Sequence, residues 1–340
     1  MNTQKILIAG CGSMAKKWAH YAKARSDVSI AGLLDIKKEN AEHFASEQGI
    51  SAPAFTDIDD ALAATKADIV FDITIPEAHK GIALTAFRHG AHVFGEKPMA
   101  SSLADAKKMV AAAERSGKMY AVMQNRRYLK NIRALRSIID SGTIGDIGFV
   151  AADFFIGAHF GGFRDAMASP LILDMAIHTF DQARFIAGAD PVSVYCHEFN
   201  PKGSWYAGNA AAVATFEFKN GIVFSYRGSW CAEGCSTSWE SIWRITGSTG
   251  SAVWNGKDLP YAEVVLPEAA TKFNRETKRI EAPLVWQGRE GHDGCLDEMF
   301  SALAAQRKAE TDCTDNIKSV AMVFAAIESA KKGKKVRIAW

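Results

Sequence analysis

The chain has 340 residues, 48% of them apolar and 23% charged, and its formal net charge at pH 7 is +2. This length predicts two domains, and the near balance of charge gives no electrostatic case for nucleic-acid binding. The six cysteines fit neither a disulfide framework nor a zinc spacing, so no metal site is predicted. The sequence shows no secretory leader pattern and no apolar run of transmembrane length, from which we expect a cytoplasmic protein that binds no membrane.

The first third of the chain alternates short apolar runs with helical patterns. Helices follow the first four of five predicted strands, which are KILIAG, VSIAGLLD, ADIVFDITI, AHVFGE and KMYAVM. These runs are continuously apolar, which is typical of a parallel sheet that is covered on both faces. The sequence therefore predicts the α/β fold class, with a doubly wound parallel sheet (a Rossmann domain) that binds NAD(P) over residues 1–123.

Beyond residue 123 the pattern changes to hairpins flanked by helices. Helices are predicted at about 130–141 and 170–188, and a hairpin is predicted around Asn220-Gly221. A second hairpin around GSTG, two further helices and a last strand, KVRIA, complete the pattern. Residues 124–340 are therefore predicted to form an α+β domain with a large, mostly antiparallel sheet, which we expect to bind the substrate.

A glycine-rich turn, GCGSMA, joins the first predicted strand to the first helix. Gly10 permits the tight turn, Gly12 lets the backbone approach a pyrophosphate, and the small Ala15 lets helix and strand pack closely. The phosphates would rest on the helix N-terminus, beside Ser13 and Met14. Because the turn follows a strand and opens a helix, it predicts a dinucleotide site.

Asp35 ends the second strand, where a carboxylate can accept hydrogen bonds from the ribose hydroxyls of NAD and repel the 2′-phosphate of NADP. Lys37 and Lys38 lie close in the sequence, and their positive charges would weaken the preference for NAD over NADP. NAD is therefore the predicted cofactor, and NADP stays an alternative.

The third strand ends at Ile75-Pro76, and His79 follows. Strand ends near the point where a parallel sheet reverses its order border the ligand, so Ile75 and Pro76 are predicted to line the nicotinamide ribose. His79 either joins them or is an ordinary residue in the first turn of the next helix.

Two further motifs contain ionisable groups. Lys97, in GEKPMA, is either a charge in a surface turn or part of a reacting centre. In LDMAIHTFD, Asp174, His178 and Asp181 are spaced to share one face of a helix. Taken alone, that spacing favours a solvated helix face or a structural His–Asp pair.

The motifs GCGSMA, TIPEAHKG, GEKPMA, NRRY and LDMAIHTFD occur in one order along the chain. In that order and at those separations the chain resembles the Gfo/Idh/MocA family, which includes glucose–fructose oxidoreductase and inositol dehydrogenases. The resemblance covers nearly the whole chain, including DNIKSVAMVFAAIESAKKGKKVRI, which is similar to the final helix and strand of the family.

The resemblance implies that Lys97 lies beside the nicotinamide, that Asp174 and His178 meet the substrate carbinol, and that the bond between Lys97 and Pro98 is cis. His178 is the expected general base because its unperturbed pKa lies near neutral, and Lys97 would stabilise developing alkoxide charge. Asp174 would orient the imidazole or bind a neighbouring hydroxyl. Glu96 is expected to border the nicotinamide.

Four residues are candidates for substrate binding. Arg164, in GGFR, resembles the arginine often found just before the catalytic helix of the family, and Asn125 and Arg127 lie at the expected domain junction. His159 is a further candidate, with packing or surface exposure as the alternative. The approach ASPLIL and Ala176 depart from the glycine-rich pattern of many members, so the loop that enters this helix differs from theirs.

We therefore expect an NAD(P)-dependent dehydrogenase or reductase that acts on a secondary alcohol, or the matching keto group, of a sugar, inositol or related polyol. The alternatives are a sugar transhydrogenase or redox-assisted glycosidase with a tightly bound cofactor and, less favoured, a non-catalytic dinucleotide-binding sensor. The resemblance also implies a homodimer or homotetramer whose subunits pair through the open face of the antiparallel sheet. We assign Phe216, Phe218 and Phe224 to that open face.

Overall fold

The computed structural model describes residues 3–269 and 272–340. It divides into two compact units, Met1–Gln124 with Cys295–Val320, and Asn125–Gly294 with Ala321–Trp340. The stretch 295–320 thus belongs to the N-terminal unit, although it follows the predicted boundary by many residues. The assignment of cofactor binding to residues 1–123 and of substrate binding and oligomerisation to residues 124–340 stays a prediction.

The first unit contains six strands: β1 (Gln4–Ala9), β2 (Val28–Leu34), β3 (Ala54–Phe55), β4 (Ile69–Asp72), β5 (His92–Gly95) and β6 (Tyr120–Val122). They form one sheet in the order β3-β2-β1-β4-β5-β6, and every neighbouring pair is parallel. The strand order reverses between β1 and β4, where the carboxyl ends of the strands open a crevice for a ligand. The predicted Rossmann sheet is confirmed.

Five helices connect these strands: α1 (Ala15–Lys23), α2 (Lys38–Gln48), α3 (Ile58–Thr65), α4 (Pro76–Arg88) and α5 (Leu103–Ser116). The apolar run of β4 is buried as predicted, with all four of its residues buried. The short β3 and α3 were not predicted; Asp57 caps α3 by accepting the N–H of Asp60 at 3.0 Å. No helix within the described residues is long and apolar enough to span a bilayer.

The rest of the chain, within the described residues, contains four α-helices: α6 (Lys130–Asp140), α7 (Ile177–Ala187), α8 (Gly291–Ala304) and α9 (Cys313–Lys332). Its nine strands are β7 (Ile147–Phe155), β8 (Pro191–Phe199), β9 (Ala211–Phe218), β10 (Val223–Ser229), β11 (Ile242–Gly247), β12 (Gly250–Trp254), β13 (Tyr261–Val265), β14 (Thr277–Glu281) and β15 (Val336–Arg337).

The nine strands form one sheet in the order β14-β13-β12-β11-β7-β10-β9-β8-β15. Every neighbouring pair is antiparallel except β7 with β10, which is parallel. Gly221, in the predicted hairpin turn between β9 and β10, has a φ of +82°, which favours glycine. The mostly antiparallel sheet is confirmed.

The assignment of Phe216, Phe218 and Phe224 to the open face of this sheet was wrong, because all three are at most 3% exposed. The ring of Phe180, on α7, lies with its centroid 4.7 Å from that of Phe216. Side chains alternate between the two faces of a strand, so these phenylalanines pack beneath the helix while Val213 and its alternate neighbours face outward.

Candidate functional site

The glycine turn between β1 and α1 leaves space for a ligand. Gly10 has a φ of +88°, and a Cβ there would lie 2.6 Å from the carbonyl oxygen of Ile73. A Cβ on Gly12 would meet no atom of the described residues within 4 Å, and Ser13 beside it is exposed. Ala15 is fully buried, as close packing of α1 requires. The turn thus has the shape of a phosphate cradle.

Asp35 is held next to this turn by three hydrogen bonds. Its Oδ2 accepts the N–H of Cys11 at 3.1 Å, and its Oδ1 accepts the N–H of Lys37 at 3.1 Å and Nδ2 of Asn40 at 3.0 Å. Lys38 lies with its Nζ 3.5 Å from Oε1 of Glu42 on the same helix. A carboxylate oriented in this way beside a phosphate cradle suits a ribose with two free hydroxyls.

Three large apolar side chains are exposed near the carboxyl ends of the strands: Met14 at 43%, Ile36 at 90% and Ile75 at 61%. Pro76 begins α4 directly after Ile75. Apolar surface beside a few oriented polar groups is typical of a cofactor site. The phosphate cradle, the ribose acceptor and this apolar rim together fit a nicotinamide dinucleotide.

A buried pair of ionisable residues lies behind this edge. Asp72 ends β4 with no exposed surface, and its Oδ2 lies 2.9 Å from Nδ1 of His79, which is 1% exposed. Burial alone would lower the pKa of His79, but the charges of Asp72, Glu96 and Glu77 together raise it. The imidazole thus lies against the carboxylate of Asp72. Sequence analysis missed Asp72, although a charged residue inside an apolar strand was the available signal.

Glu96 follows β5, and its carboxyl is also buried. Its Oε1 accepts the indole N–H of Trp18 at 2.9 Å, and its Oε2 accepts the backbone N–H of Lys97 at 3.2 Å. Burial raises the pKa of Glu96, and the hydrogen bond from Trp18 and the charge of Lys97 oppose that rise. Through these two hydrogen bonds, Glu96 links Trp18 to the backbone of Lys97 inside the first unit. Lys97 is partly exposed, and the bond between Lys97 and Pro98 is cis, as the family resemblance implied.

In the second unit, Asp174 and His178 lie at the junction of two kinds of helix. Leu171–Ala176 is a π-helical turn that contains Asp174, and it runs into α7, which contains His178. The predicted helix is confirmed in extent, with Gly188 ending it in the left-handed conformation. The wider π turn changes the regular angular spacing that the sequence predicted, and such turns are frequent at functional sites.

Arg164 is joined to Asp174. Its Nε donates to Oδ2 of Asp174 at 2.6 Å, and its Cζ lies 5.2 Å from the ring centroid of Phe160 and 4.7 Å from that of Phe163. The second unit therefore brings together two of the residues singled out from the sequence, and two phenylalanines that were not foreseen.

Other predicted substrate residues have structural partners. Arg127 is 5% exposed, and its Nε and Nη2 donate to Asp181 at 2.7 and 2.6 Å. Asn125 lies with its Nδ2 3.2 Å from Nδ1 of His292. The structure therefore directs Arg127 at Asp181, a carboxylate of its own unit.

His159 lies on the surface of the second unit, as the alternative to substrate binding anticipated. Its Nε2 is 2.7 Å from Oε1 of Glu233, and its ring stacks on Trp205 with the centroids 3.6 Å apart.

Comparison with known proteins finds a family match for each of the two halves of the chain. Residues 4–124 match the model of an oxidoreductase family with an NAD-binding Rossmann fold, and residues 132–253 match the GFO/IDH/MocA C-terminal domain. A D-apiose dehydrogenase of Rhizobium rhizogenes is 26% identical over 350 residues, which cover 99% of this chain and 98% of that protein. A 1,5-anhydro-D-fructose reductase of Ensifer adhaerens is 24% identical over 339 residues, 97% of each chain.

Solved structures have the same fold. An oxidoreductase of Agrobacterium radiobacter, determined in complex with NAD+, L-tartaric acid and magnesium, matches with a TM-score of 0.85 at 24% identity, covering 99% of this chain and 98% of that one. The two family models together match more than half of the sequence, one over residues 4–124 and the other over residues 132–253. The chain is a member of the Gfo/Idh/MocA family of NAD-binding oxidoreductases.

Proposed function

We propose that the protein is an NAD-dependent dehydrogenase that oxidises a secondary alcohol of a sugar, inositol or related polyol, and that reduces the matching keto compound in the reverse direction. The observation that carries this proposal is the hydrogen bond from the N–H of Cys11 to Asp35, which holds a ribose acceptor beside the open glycine turn. NAD, when bound, supplies the acceptor for the hydride that leaves the carbinol carbon.

Three side chains are proposed to act on the alcohol. His178 takes the hydroxyl proton as general base, and Lys97 donates a hydrogen bond to the same oxygen as its negative charge develops. Asp174 accepts a hydrogen bond from a neighbouring hydroxyl. Two contacts support this assignment: Glu96 holds the backbone N–H of Lys97, and Arg164 holds the carboxylate of Asp174.

NAD is proposed over NADP because Asp35 presents an oriented carboxylate where NADP carries a phosphate. Lys38, which would attract that phosphate, lies beside Glu42. The names of the two full-length relatives, a D-apiose dehydrogenase and a 1,5-anhydro-D-fructose reductase, support a sugar or polyol as substrate.

The test is a panel of free sugars, sugar derivatives and inositols, each assayed with NAD and with NADP by absorbance at the reduced nicotinamide band. We expect one structural class to release free NADH in amounts that exceed the enzyme concentration. Reduction of a second sugar without net NADH would instead identify a transhydrogenase with a tightly held cofactor. NAD binding without turnover on any alcohol would identify a sensor.

We also propose that two copies pair through the outer face of the nine-stranded sheet, giving a homodimer or a dimer of dimers. That face carries exposed apolar side chains, at Phe149, Tyr195, Val213 and Ile242. Light scattering after size-exclusion chromatography tests this proposal: Val213→Asp should shift the molar mass toward that of one chain.

A further inference from the structure

Arg164 lies between two aromatic rings, with one edge against a carboxylate. Phe160 and Phe163 each lie within cation–π distance of its guanidinium carbon, and its Nε donates to Asp174 at 2.6 Å. The side chain of Arg164 is 32% exposed and that of Asp174 is 13% exposed. Phe160 is itself supported by Trp230 and Trp239, with centroids 5.6 and 6.1 Å away.

This arrangement determines what the charge of Arg164 can do. A charge-assisted hydrogen bond of this length is stronger than one between neutral groups, and the carboxylate of Asp174 is mostly buried while Arg164 keeps a third of its side chain exposed. The aromatic rings limit rotation of the guanidinium, so the bond also fixes the direction of Asp174. The positive charge of Arg164 is therefore compensated within the protein.

We propose that Arg164 is a positioning residue, which holds the carboxylate of Asp174 in the orientation from which it accepts a hydrogen bond from a substrate hydroxyl. This inference rests on the proposed function, and it deepens it by restricting the part of the substrate that can meet Asp174. The part of the substrate that meets Asp174 is an uncharged hydroxyl group, because a carboxylate or phosphate would be repelled by the carboxylate that already occupies Arg164.

A double-mutant cycle tests the coupling. Arg164→Ala and Asp174→Asn should each lower kcat/KM on the polyol substrate by ~10-fold or more, since each removes one partner of a charged hydrogen bond. The double variant should be no worse than the poorer single variant. If the two losses multiply, Arg164 acts on the substrate independently of Asp174, and the proposal is overturned.

Chemical rescue separates positioning from mere structural support. Arg164→Ala leaves a gap bounded by Phe160 and Phe163, which a free guanidinium ion can enter. Added guanidinium chloride at low concentration should restore activity to Arg164→Ala and not to the Arg164→Ala/Asp174→Asn variant. The matched control is Arg88→Ala, which breaks an exposed pair between Arg88 on α4 and Asp59 on α3 and should keep its activity with and without guanidinium. Rescue that is independent of Asp174 contradicts the proposal.

A binding experiment tests the same inference without turnover, so its outcome is independent of the proposed reaction. L-Tartrate, a dicarboxylate bearing two hydroxyl groups, is titrated calorimetrically into the wild-type protein, Asp174→Asn and Arg164→Ala/Asp174→Asn. Asp174→Asn exposes the uncompensated charge of Arg164 and should bind tartrate at least ~10-fold more tightly than wild type, and the double variant should lose that gain. Equal affinity in wild type and Asp174→Asn would show that Asp174 does not neutralise Arg164, and it overturns the proposal.

Discussion

The indole N–H of Trp18 donates a hydrogen bond to Oε1 of Glu96 at 2.9 Å, and both side chains are buried. Trp18 lies on α1, the helix that follows the glycine turn, and Glu96 precedes Lys97. One carboxyl group therefore links the helix of the phosphate cradle to the backbone of the proposed reacting lysine.

Removal of this carboxyl should cost both stability and turnover. Glu96→Ala leaves the N–H groups of Trp18 and Lys97 without their acceptor, and should lower the free energy of unfolding by about 2 kcal/mol or more, with lower kcat. Glu96→Gln keeps an acceptor for the indole and should lose less. Urea unfolding and steady-state kinetics measure both effects; equal stability of all three proteins would contradict the role of Glu96.

Loss of the proposed acid–base groups should be visible in turnover rather than in folding. Lys97→Ala and His178→Ala should each lower kcat by ~100-fold or more on the substrate identified by the panel. His89→Ala, which removes a histidine paired with Asp59 at the surface, is the control and should stay near wild type. Turnover of Lys97→Ala or His178→Ala within a few-fold of wild type would mean that the assignment is wrong.

Asp35 should determine cofactor preference. Asp35→Ala removes the ribose acceptor and the repulsion of a 2′-phosphate, so the ratio of kcat/KM for NAD to that for NADP should fall by ~10-fold or more. The ratio is measured with one substrate at several concentrations of each cofactor. Asp27→Ala, which removes a carboxylate paired with Arg25, should leave the ratio unchanged. An unchanged ratio in Asp35→Ala refutes the role of Asp35.

The buried pair between Arg127 and Asp181 should be a stability element. Arg127→Met leaves a buried carboxylate with less compensation and should cost about 3–5 kcal/mol in the free energy of unfolding. Arg127→Met/Asp181→Leu should lose less than the sum of the single changes. Arg88→Met, which breaks an exposed pair with Asp59, should cost at most about 1 kcal/mol. Urea denaturation compares these three variants and Asp181→Leu, and a loss in Arg127→Met no larger than in Arg88→Met would contradict the prediction.

Glu198 should make stability depend on pH. Burial raises its pKa from 4.5 to about 7, against the opposing effects of the Ser169 hydroxyl and Lys331. Because the folded-state pKa is raised, the stability that Glu198 contributes is fully present below about 4.5 and is lost as the pH rises through about 7. Glu198→Gln stays uncharged, so its stability relative to wild type should increase across that interval. Urea unfolding at several pH values checks this, and a constant difference would contradict it.

Much of the first unit could be predicted because its signals are local. Continuous apolar runs identify buried parallel strands, and Gly10, Gly12 and Asp35 each occupy a fixed place after a strand. β14 offered no such signal, since all five of its residues are exposed. The misplaced phenylalanines of β9 had one: Phe216 and Phe218 alternate with Thr215 and Glu217, and the polarity of those two residues indicates that the phenylalanines lie on the opposite, inward face.

The sequence did not predict which residues form hydrogen bonds or ion pairs with the site residues. Trp18 and Glu96 are separated by 78 positions, and Arg127 and Asp181 by 54. Which carboxylate meets which donor depends on the order of strands and helices in space, which no local pattern encodes. The motifs therefore indicated the groups proposed to carry the chemistry, while the folded topology determined which residues contact those groups.

The π-helical turn that contains Asp174 has a consequence for how the site can diversify. A π turn holds one residue more than an α-helical turn, so gain or loss of a single residue there rotates the acid by roughly a quarter of a turn relative to α7. His178 and the core beneath α7 would keep their places during such a change. A change in the length of this one turn would therefore redirect the Asp174 side chain without altering α7, the helix that carries His178.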